Sequence, residues 1–163
     1  MKKLFVLCTL LASTYIFSDH HHPKKWTLKG HGHWMKSCGK TGDYNVRVKG
    51  SHDERGLRLT QTFSHGEKSW SVSYMLLKKE NGFFDVVMKG EKVGDGYCVK
   101  GHNSKTCHHH YTHKGHEVEV TAHMMGHRVH RMGSVKHDGK VMKFKDRLRM
   151  DHDHGDHRQQ GQR

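Results

Sequence analysis

Twenty of the 163 residues are histidine, and all of them lie beyond residue 19. Imidazole is the commonest protein metal ligand and the one side chain that ordinarily titrates near neutrality. The histidines are grouped: His20, His21 and His22; His31 and His33; His108, His109 and His110 with His113 and His116; and His152, His154 and His157. His123, His127, His130 and His137 are spread through the last third. This enrichment points to handling of a transition metal, with zinc, copper or nickel as the ions that imidazole suits.

Three segments would carry that chemistry. Cleavage after Ser18 would leave Asp19-His20-His21 at a new N-terminus. The free amine, two backbone amides and the His21 imidazole then form a square-planar nitrogen set suited to Cu(II) or Ni(II). Cleavage after Ser13 would remove that motif, and residues 19–25 would be a polar leader. At the other end, His152, His154 and His157 alternate with Asp151, Asp153 and Asp156. Without apolar periodicity, residues 151–163 read as a disordered tail that binds metal weakly or only solubilises the chain. The third segment is the run from His108 to His116. On a strand, His108 and His110 share one face about 7 Å apart, and a neighbouring strand must supply a third ligand. His113 and His116 extend the set, and three side chains with an open position suit zinc.

Catalysis has no comparable support. The chain lacks a Gly-x-Ser-x-Gly elbow, a phosphate-cradling glycine loop and a His-Glu-x-x-His helix. His116-Glu117 leads into strand alternation instead, so the reading is of a protein that is not an enzyme. No organic cofactor is evident.

Residues 1–18 read as an export signal: Lys2 and Lys3, an apolar run from Leu4 to Ala12, then small residues at Ser13 and Ser18. The run is shorter than the roughly 20 residues that span a bilayer, which predicts a periplasmic or secreted product that is not transmembrane. Removing Lys2 and Lys3 leaves 27 basic against 16 acidic residues, a net charge of +11 with histidine neutral. That excess favours anionic partners. The lysines and arginines occur singly in alternating segments, so the sequence alone defines no basic face and no sequence-specific nucleic-acid reader.

The elements that position these groups are strands. Tyr44, Val46 and Val48 share one face; so do Leu57, Leu59, Gln61 and Phe63, and so do Trp70, Val72, Tyr74 and Leu76. Phe84, Val86 and Met88 repeat the pattern, followed by Val118, Val120 and Ala122, and by Met142, Phe144, Leu148 and Met150. Period-two alternation predicts strands with one buried face. Asn81-Gly82 and Asp138-Gly139 are two-residue hairpin dipeptides. About 9–10 strands over residues 26–150 predict a single all-β domain, an antiparallel meander closing as a barrel, with a two-sheet sandwich as the alternative. Asp146 falls on the apolar face of its strand, where a buried charge needs a partner such as an inward arginine.

Gly32-His33-Trp34 begins the first strand region, and Arg128 to Gly133 lies near the end of the layout. With that strand layout, the chain resembles the lipocalin-like (calycin) β-barrels. The resemblance implies that Trp34 closes the barrel floor, covered by Arg131 or Arg128.

Cys8 falls within the export signal, leaving Cys38, Cys98 and Cys107. With a loop over 101–104, Cys98 faces Cys107 across a hairpin, within disulfide range. Cys38 is then a buried small residue, a free thiol or an intermolecular bond. The leading reading is an exported β-barrel that binds or buffers a transition metal. The alternatives are a lipocalin-like carrier of a small apolar ligand and a cationic protein whose grip on anionic surfaces tightens in acid.

Overall fold

The computed structural model describes residues 25–151, which form ten antiparallel strands. These are β1 (Lys25–Lys36), β2 (Thr41–Asp53), β3 (Gly56–His65), β4 (Lys68–Lys78), β5 (Phe83–Met88), β6 (Glu91–Lys100), β7 (Lys105–His113), β8 (His116–Met125), β9 (Arg128–His137) and β10 (Lys140–Met150). Each strand pairs with its predecessor, and β10 pairs back onto β1, with Leu28 opposite Met150 and Trp34 opposite Phe144. The architecture is therefore the closed barrel and not the sandwich, and closure satisfies both potential sheet edges. The chain enters β1 and leaves β10 at one rim. The turns at 89–90, 114–115 and 138–139 lie at the other.

Alternation fills the interior as expected. Tyr44, Val46, Val48, Leu57, Leu59, Tyr74, Leu76, Phe84, Val86, Met88 and Leu148 are buried in one continuous core. Trp70 departs from its expected place: it sits at the rim, 53% exposed. Near the start of β4 it stacks on Phe63 at 5.6 Å between ring centroids. Lys89-Gly90, Lys114-Gly115 and Asp138-Gly139 all have positive φ and close two-residue hairpins, the twist that such hairpins favour. Asn81-Gly82 also has positive φ but is not a two-residue hairpin. It belongs to the longer 79–82 connection, whose 3-10 turn spans Glu80–Gly82.

The buried Asp146 has its arginine. Arg131, directly opposite on β9, donates from Nε to Asp146 Oδ2 at 2.9 Å, and a second guanidinium nitrogen donates to the same oxygen. The Tyr44 hydroxyl donates to Oδ1. Burial first, then Asp146, push the Tyr44 hydroxyl up, so it stays protonated and donating. Gly32 makes this possible, since a Cβ there would lie 2.4 Å from Asp146 Oδ1 and 2.3 Å from Tyr44 Cζ. This geometry corrects the expected role of Arg131, whose guanidinium serves Asp146. The cation over Trp34 is Lys36, 5.4 Å from the ring centroid.

Candidate metal-binding groove

The Cys98–Cys107 disulfide fixes the hairpin that carries the histidine run, with Lys100 opposite Lys105 and Val99 opposite Thr106. Cys38 is a free, exposed thiol. Because β7 alternates, His109 points into the barrel while His108 and His110 point out. They face a groove of about 920 Å³ across the outer surface of β6 to β10 and β1. Gly96 and Gly133 place bare backbone along it; inside the barrel the Phe84 and Phe144 rings fill the space their side chains would take.

Each outward histidine has a polar partner at Nδ1. His108 Nδ1 is 3.0 Å from Thr121 Oγ1, and Tyr97 stacks on its ring at 5.1 Å. His110 Nδ1 lies 3.6 Å from Asp95 Oδ1, and Glu119 is its register partner on β8. The His108–Thr121 contact is within hydrogen-bond reach and the His110–Asp95 contact is a longer charge contact; where Nδ1 donates, Nε2 keeps its lone pair for a metal.

The inward histidine has a different chemistry. His109 packs against Tyr74, Phe84 and Tyr111 at 5.9, 6.2 and 6.1 Å, and its Nε2 is buried without a partner. Burial lowers its pKa to about 4, helped by Arg131, His110 and His108, so at neutral pH it is an uncharged core residue.

His113 and His116 are brought together elsewhere, facing each other across the Lys114-Gly115 turn at the rim. The next position in that cross-strand row is His137, whose ring lies 4.0 Å from that of His116. His137 also bonds through Nδ1 to Gly115 O at 3.0 Å, and His116 Nδ1 is buried without a partner. The sequence reading did not single out His137. Counting two-residue loops on either side of β8 would have aligned it with His116 and His113.

The expected run thus divides between an outer groove and one rim. Among the described residues, no three His, Cys, Asp or Glu side chains converge closely enough to hold an ion as they stand. His108, His110, Asp95 and Glu119 share one outward face as a mixed donor set, and gathering them needs side-chain rotation but no change of strand register. His20, His21, His22, His152, His154 and His157 lie outside the described residues. No protein-family model matches the chain, and no curated protein is significantly similar to it.

Proposed function

We propose that this protein is an exported, lipocalin-like β-barrel that binds and buffers a transition metal through its histidines. The observation that carries the reading is the placing of His108 and His110 on one outward face, each with Nδ1 against a polar partner and with Glu119 beside them. Two imidazole Nε2 atoms and one carboxylate are a donor set for zinc with a water in the open position, and nickel or copper would compete for the imidazoles. Asp95 and Thr121 are the orienting groups. The leader and tail histidines add weaker ligands. Uptake requires neutral imidazole, so protons compete with the metal and binding weakens in acid.

The cavity-carrier reading receives less support, because Tyr44, Tyr74, Tyr111, Phe84 and the Arg131–Asp146 pair occupy the barrel's interior. The deciding experiment is calorimetric titration of the untagged, processed chain with Zn(II), Ni(II) and Cu(II). His108→Ala with His110→Ala should weaken the tightest class by more than about 100-fold, beyond the 10–100-fold typical of losing an orienting partner. Replacing the six leader and tail histidines should remove only weaker classes. Tight binding that survives the first change and disappears with the second would overturn the groove as the site.

A further inference from the structure

Barrel closure does something the sequence conceals: it lines up cations from strands far apart in the chain. On the outer surface, Arg128 of β9 faces Arg149 of β10, Arg149 faces Lys29 of β1, and Lys29 faces Arg47 of β2. The adjacent row runs His130, Arg147, His31, and the next carries Lys145 beside His33. All of these side chains are exposed. Among the described side chains, the carboxylates at this face are Asp43, 2.8 Å from His33, and Asp151, paired with Lys29. Like charges directly opposite one another destabilise a sheet, and here three successive cross-strand pairs are cation against cation. Folding gains nothing from that arrangement, whereas an anion would.

We propose that the outer face of β9, β10, β1 and β2 binds a linear acidic polysaccharide, one bearing carboxylate or sulfate groups along its length. Cations repeat at the strand spacing of about 4.8 Å, so a chain crossing the strands meets one at each. The face is the outside of a barrel and curves away across the strands. A flexible linear polyanion can follow that curve, while a flat bilayer meets it along a narrow strip. The two leading rows contain no apolar residue to enter a membrane. The outward positions of these strands also carry no Phe, Tyr or Trp on which nucleic-acid bases would stack. Its two leading rows are separate from the metal donors on β6, β7 and β8, although His33 and Lys145 of the third row also line the groove beside those donors.

The test measures binding of the full processed chain to heparin and to polygalacturonate, in chelator so that metal plays no part, over a range of salt concentrations. Both probes should bind, with affinity falling steeply as salt rises. Arg47→Gln, Arg128→Gln, Arg147→Gln and Arg149→Gln together should weaken binding at least about tenfold and flatten the salt slope by about one per lost contact. The four Arg→Lys replacements should keep most of the affinity, with circular dichroism confirming the barrel in each variant. A control with Lys40, Lys68, Lys89 and Lys114 changed to Gln removes the same charge from turns at the opposite rim and should lose less than about twofold. Equal loss in the control would overturn the proposal, as would absence of binding. Tighter, face-dependent binding to anionic vesicles or duplex DNA would overturn it in favour of those partners.

Discussion

Inside the wall formed by β9, β10 and β1, Asp146 meets Arg131 across one strand boundary and the space left by Gly32 across the other. Outside the same wall, Arg149 meets Arg128 and Lys29 across the same two boundaries. The inner charges are few, buried and hydrogen-bonded to each other; the outer ones are many, exposed and mostly cationic. The outer surface of β3 and β4 sharpens the contrast. There Thr60 bonds Ser73 at 2.9 Å and Thr62 bonds Ser71 at 2.8 Å, a neutral ladder that supports the pairing. One side of the wall is arranged for stability, and the other is arranged for something outside the molecule.

The largest expected effect comes from breaking the inner arrangement. Asp146→Ala leaves Arg131 buried without its partner and should cost about 3–5 kcal/mol in denaturant unfolding. A loss below about 1 kcal/mol would show that water reaches Arg131 and that the inner charge is not truly sequestered. Next comes acid. The folded barrel holds His109 neutral down to about pH 4, whereas an unfolded histidine titrates near 6.5. Its contribution is therefore intact above about pH 6.5 and lost as the pH falls towards 4, by up to about 3 kcal/mol. His109→Phe should be less acid-sensitive than the parent when melts at pH 7.5 and 4.5 are compared. An unchanged difference would place the acid sensitivity in other groups. The smallest effect has the opposite sign: Arg149→Glu replaces two repulsive cross-strand pairs by attractive ones. It should stabilise the barrel by about 0.2–1 kcal/mol at low salt and by less at high salt. Destabilisation by this change would mean that Arg149 itself already has a partner within the chain.

The contrast also explains what the sequence disclosed. Alternation in segments such as Tyr44 to Val48 and Leu57 to Phe63 is local, so strand faces could be read residue by residue. The 98–107 hairpin is local too, and its register followed from a four-residue loop. Asp146 announced itself by standing on an apolar face. The basic face shows only in part: Lys145, Arg147 and Arg149 alternate along β10, but the cations that face them on β1 lie more than a hundred positions away across the seam. Arg131 was assigned to Trp34 for the same reason. Choosing between Trp34 and Asp146 as its target requires the register at β9 and β10. The groove beside His108 and His110 likewise depends on six strands at once.

The seam has one more effect, on the parts of the chain that carry the remaining histidines. Asp151 N donates to Thr27 O at 2.8 Å, so the stretch before Lys25 and the stretch after Asp151 are rooted side by side at one rim. A contact made near Lys25 therefore lies beside any contact made near Asp151, and one partner touching both would engage them as linked events. Contacts at these two points share one rim, so their joint affinity would not be the sum of what each shows on a separate peptide.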